Sequence, residues 1–200
     1  MSINASDRTL GLINIWQVLR KLFWEIELIK TIPDSLRVGI RPVDVLHVQD
    51  ARLYATINAA STSLALVDWL YHTIRENELL TKNVKAALGG VDTSTDKAFL
   101  SRFRKNISIN ACHQICNANK HFHLKNPDKN FKVLVGEIVS ERSDGTTDIS
   151  VITQIMRNGD DPAAATSVLT MLEGLATWWE ALLTQIPIPG REQFFPQSSP

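Results

Sequence analysis

The chain has 200 residues, 44% of them hydrophobic and 21% charged, with 21 Lys+Arg against 21 Asp+Glu, a composition that fits a soluble globular chain with a proper core. No run of about eighteen apolar residues exists, and the opening MSINASDRTL lacks a basic start followed by an apolar core, so neither a membrane span nor a signal peptide is expected. Two cysteines four apart cannot found a disulfide framework, so reduced thiols, a cytoplasmic location and no membrane partner are expected.

The balanced charge hides an uneven distribution. Residues 1–96 carry 10 Lys+Arg against 11 Asp+Glu, residues 97–132 carry 8 against 1, and residues 133–200 carry 3 against 9. A basic middle segment suits an anionic partner such as RNA, through Arg102, Arg104, Lys105 and Lys120. It suits equally a basic helix docked on the acidic carboxyl-terminal third, and the sequence leaves both readings open.

In chain order, residues 10–31 read as a first helix, because Leu12, Ile15, Trp16, Leu19, Leu22, Phe23, Ile26 and Ile29 recur every three or four residues. Pro33 closes it, and Pro42 stands where the first turn of the next helix tolerates a proline. That second helix is long, with an apolar line through Leu46, Leu53, Ile57, Ala60, Leu64, Val67, Tyr71 and Ile74. Beside it runs a polar line of His47, Tyr54, Asn58, Ser61, Asp68 and His72. Asp68 and His72 are four apart, so the carboxylate can orient the imidazole.

Gly89 and Gly90 break the chain, and Asp92, Thr93, Ser94 and Thr95 offer caps for a basic helix beginning near Asp96. The stripe Leu100, Phe103, Ile107, Ala111 favours one continuous helix over 96–124, the alternative being a bend near Ser108. Two Val- and Ile-rich runs follow, around the turn residues Ser143, Asp144, Gly145 and Thr146, and predict an antiparallel hairpin over about 131–156. The last helix, 163–185, buries Val168, Leu172, Leu175, Trp179 and Leu182. Prolines at 187, 189, 196 and 200 predict a meandering or disordered tail over 187–200. The fold class is therefore mainly α: four or five bundled helices in one domain over 1–186, with one inserted hairpin.

The crowded stretch is 107–124, ISINACHQICNANKHFHL, which holds three of the five histidines and both cysteines. As a helix it places Ile107, Ala111, Ile115, Ala118 and Phe122 on a stripe expected to be buried. Cys112, Cys116, Asn119 and His123 fall on another edge. Zinc could recruit Cys112, Cys116, His123 and His113, but a straight helix rarely wraps four ligands round a tetrahedral ion, so neither metal nor cofactor is expected. A nuclease would use His121 as general acid or base, with Lys120 or His113 stabilising phosphate charge and Asn117 positioning it. Asp68, His72 and His113 form a further polar set. Walker, Rossmann, Gly-x-Ser-x-Gly and HExxH motifs are all missing from the sequence.

With its helical core and a late helix bearing Asn117, Ala118, Asn119, Lys120 and His121, the chain resembles helical bundles of the HEPN class, many of them RNases or RNA-binding partners in defence and toxin systems. Its NANKH run is also similar to segments of uncharacterised bacterial proteins. HEPN nucleases carry an Arg, a spacer of four to six residues and then the His. Here the positions five to seven before His121 are Cys116, Ile115 and Gln114, so only His121 carries over. The resemblance implies an RNA-binding protein or a metal-independent ribonuclease. Residue chemistry favours a non-catalytic binding or interaction protein, with a metal-binding protein as the third reading. Adjacent Trp178 and Trp179 point about 100° apart, which one buried stripe cannot hide, so one of them is expected at a contact such as a homodimer interface.

Overall fold

Helix α1 (Ile15–Thr31) begins where the sequence supplies a cap. The Asn14 side chain accepts from the Trp16 amide at 2.8 Å, and Gln17 reaches back to the Asn14 amide at 3.2 Å, a reciprocal capping box. The computed structural model describes residues 11–33, 35–37, 42–120, 131–157, 159 and 165–195. Within α1 the expected line is the buried one, and Ile15, Trp16, Leu19, Leu22, Ile26 and Ile29 all lie in the core. Glu25 is buried among them, held by Lys21, which also reaches the Thr62 hydroxyl of the next helix.

That helix, α2 (Pro42–Ile74), runs 33 residues, about 50 Å at the usual rise. Its buried face differs from the apolar line read in the sequence. Leu53 is on the surface, while Ala55, Thr56, Ala59, Thr62 and Ser63 are buried beside Leu66, Leu70 and Ile74. Small side chains let a neighbouring backbone come close, and α1 lies along this side of α2. The polar line of His47, Tyr54, Asn58, Ser61, Asp68 and His72 is exposed throughout, as a solvated face should be.

A further short helix, α3 (Glu78–Ala87), follows, because Asn77 caps the Leu80 amide at 3.0 Å. The continuous helix expected over 96–124 is in fact two, α4 (Asp96–Phe103) and α5 (Ile107–Lys120). Asn106 makes the break. Its side-chain oxygen accepts from the amides of Ser108 at 2.9 Å and Ile109 at 3.4 Å, starting α5 in a new direction.

The expected hairpin is present as β2 (Phe131–Glu141) and β3 (Thr147–Arg157), paired from Phe131↔Arg157 to Glu141↔Thr147. Gly145 takes φ 79° in the turn, and Asp144 accepts from the Thr146 amide at 2.9 Å. Two short strands join the other edge of β3: β1 (Ser35–Arg37), at Asp148–Ser150, and β4 (Thr166–Ser167), at Gln154 and Ile155. Among the described residues the sheet is thus four-stranded and antiparallel, with β2 outermost.

Helix α6 (Val168–Gln185) starts at Val168 rather than at 163 and buries the five side chains expected of it. Trp179 stacks on Phe103 at 5.4 Å between ring centroids and donates to the Ser63 hydroxyl at 3.3 Å, tying α6 to α4 and α2. Residues 187–195 dock where a meandering or disordered tail was expected, and 196–200 lie outside the described residues. Trp16 donates to the Ile188 carbonyl at 3.1 Å, Arg191 pairs with Glu180 at 2.6 Å, and the Phe195 ring packs edge-on against Trp16 and Phe23. This stretch includes a short turn of helix, α7 (Arg191–Phe194). At Gly190, with φ 96°, a Cβ would stand 2.7 Å from the Asn14 side chain, so only glycine lets the chain pass the α1 cap.

Candidate functional site

The crowded stretch becomes α5, and its surroundings correct the sequence reading of its faces. Ile109, Ala111, Cys112, Gln114, Ile115 and Cys116 are buried, whereas Ile107 and Ala118, expected in the core, are exposed. Of the edge offered for metal ligation, Cys112 and Cys116 therefore face inward, and His123 and the side chain of Asn119 lie outside the described residues. Burial, reinforced by the neighbouring Cys116, pushes the Cys112 thiol up to about 12, which removes it as a ready thiolate. Cys116 lies 3.2 Å from the Ser61 hydroxyl. Among the described residues, no three His, Cys, Asp or Glu side chains stand close enough to share a metal ion.

His113 is half-buried at the mouth of this region, with its ring nitrogens 3.2 and 3.3 Å from the Asn117 amide nitrogen. Burial first, and then the Arg104 charge, lower its pKa below the usual 6.5, so the ring is neutral at pH 7. Asn117 is thereby committed to His113. His121, His123 and the side chain of Lys120 lie outside the described residues.

Of the basic residues, Arg102 is engaged internally, donating to the carbonyls of Leu88 and Gly90 and fastening α4 to the end of α3. Arg104 and Lys105 are exposed, Arg104 with a 3.4 Å contact to Asn110. Asp68 and His72 approach to 3.5 Å, but both are more than half exposed, so their attraction is screened.

The structure does bring two members of the polar set together. Asp68 from α2 and His113 from α5 line one cavity of about 270 Å³, closed on the third side by Asp96, Lys97 and Phe99 of α4. Its walls are mainly apolar, with Val67 and Tyr71 opposite Phe99. A neutral imidazole, two carboxylates and an ammonium at an apolar hollow can orient a small molecule. His72 does not line it.

The surface that the sequence did not flag is the hairpin. Val133, Leu134, Val135, Ile138 and Val139 of β2 are exposed, Val135 at 59% and Val139 at 65%. Odd and even positions of a strand point to opposite faces, so apolar side chains stand in solvent on both sides of the outermost strand. In sequence this run looked like an ordinary strand, and only the sheet order shows it to be an outer one among the described strands, with Gln49 of α2 reaching its Glu137. Trp178 and Trp179 both pack on Phe103, the Trp178 ring edge-on at 6.2 Å and half-buried, so the larger exposed apolar surface is the hairpin's.

No protein family, curated protein or solved structure matches the chain.

Proposed function

We propose that the chain is a non-catalytic interaction protein, whose contact element is the free edge of β2 and whose partner there is a second copy of itself. The observation that supports this reading is a long outer strand with five exposed apolar side chains and no bulge or proline to blunt it. The pattern is self-complementary. In an antiparallel pair of two β2 edges centred on Gly136, Val133 meets Val139, Leu134 meets Ile138 and Val135 meets Glu137 of the other copy, and no two like charges are opposed.

Shared between the two faces of the strand, the five side chains offer on the order of 400 Å² per copy. Together with the paired backbone, two such edges approach the roughly 1,200 Å² at which specific interfaces begin. The test is a cysteine at the symmetry centre. Gly136→Cys adds a Cβ that meets only Ile152, at 3.7 Å, so the hairpin accommodates it. Mild oxidation is expected to give a disulfide-linked dimer with Gly136→Cys and none with Asp144→Cys at the turn. Light scattering is expected to show twice the chain mass, reduced to one in Ile138→Lys. A monomer at all concentrations, or equal cross-linking at both positions, would overturn the reading.

A further inference from the structure

The opposite edge of the sheet carries a separate feature. Between β1, which pairs with β3 up to Ser150, and β4, which pairs from Gln154, residues 151–153 of β3 have no described strand beside them. A cavity of about 250 Å³ opens at this gap, between the sheet, α1 and α2, and the amino-terminal end of α6.

Its polar lining consists of Arg52, Thr56, Ser150, Thr153, Gln154 and Ser167, with Ile29 and Ile152 among the apolar walls. Among the described residues, no carboxylate lines it. Arg52 is half-buried and donates one arm to the Ile32 carbonyl at 3.0 Å, which fixes the guanidinium without neutralising it. Among the described residues it has no carboxylate partner. Thr56 is only 6% exposed, and it lines the cavity. Ser167 stands at the N-cap of the 18-residue α6 without capping it, and the first turn of α6 holds no acidic residue.

These observations converge on one chemistry. A half-buried guanidinium without a counter-ion is costly unless an anion joins it, and a planar fork with free N–H groups fits an oxyanion. Hydroxyl groups in the lining and a helix start that Ser167 does not cap favour the same charge. We infer that this cavity binds the oxyanion end of a small organic acid, a phosphate monoester or a carboxylate, with Arg52 as its charge partner and Thr56 as a buried donor. The volume admits a small molecule, and the Ile29 and Ile152 walls receive its apolar body.

The inference is independent of β2 pairing, because the cavity lies across β3 from that edge. Its test titrates the full chain with inorganic phosphate and, separately, with butyrate, at constant ionic strength set by chloride, read by amide chemical shifts. Saturable shifts confined to residues around Arg52, Ser150 and Ser167 are expected for at least one probe. A response to phosphate alone assigns a phosphate ester, and a response to butyrate alone a carboxylate. Arg52→Met should weaken binding about tenfold or more, Arg52→Lys less so, and Thr56→Val about threefold. No saturable shift with either probe, or binding unchanged in a folded Arg52→Met chain, overturns the inference.

Discussion

The helical core and the hairpin are built from the same apolar residue types and use them in opposite ways. In the core, Trp16, Trp179, Phe99 and Leu22 are completely enclosed, and the polar atoms carried inward mostly find partners, as Trp179 does on Ser63. In β2, Val135 and Val139 remain in water although the strand has a full ladder to β3. A backbone ladder satisfies hydrogen bonds without removing side chains from solvent, so regular structure alone does not make a core. The core explains why the chain folds, and the hairpin is where surface remains to be used.

Predictions that break or sharpen this contrast run from core to rim. Trp179→Ala removes the ring that joins α6 to α4 and α2, and is expected to cost about 3–5 kcal/mol in urea unfolding. A loss below about 1 kcal/mol would mean the helices are joined elsewhere. Asn106→Ala leaves the first amides of α5 without their cap and should cost about 1 kcal/mol. If α4 and α5 were one helix, alanine there would stabilise instead.

On the hairpin, Val139→Thr should change monomer stability by no more than about 0.5 kcal/mol, measured at high dilution, while weakening self-association in light scattering. A large loss at high dilution would show that the exposed face is part of the monomer's own core. The smallest expected effect concerns His113. The unfolded chain takes up a proton near 6.5 and the folded chain only at lower pH, so between the two the unfolded state binds more protons and stability falls as pH falls. His113→Gln is expected to flatten the dependence of unfolding free energy on pH below 6.5. An unchanged slope would show that the folded ring titrates normally.

The amino-acid sequence by itself determined the mainly α class, the face of α1, the start of α2 at Pro42, the hairpin with its Gly145 turn and the buried side of α6. Each rests on local information: a period of three to four, a proline, a glycine in a turn. What went beyond that reach was which way each face points when several are plausible. Ile107 looked like core and is exposed, because the start that Asn106 gives α5 sets the helix against its neighbours differently from a continuous one. The same holds for Leu53 and Ala59 on α2, where small residues are buried because α1 comes close.

Only the tertiary structure decided the candidate sites. Asp68 and His113 share a cavity although 45 positions separate them. Arg52 and Thr56 meet Ser150 and Ser167 across three segments of chain, and β2 becomes an outer edge because β1 and β4 both choose the other side of β3. Periodicity reports which side of an element is apolar, but which elements become neighbours is settled by packing among segments far apart in sequence.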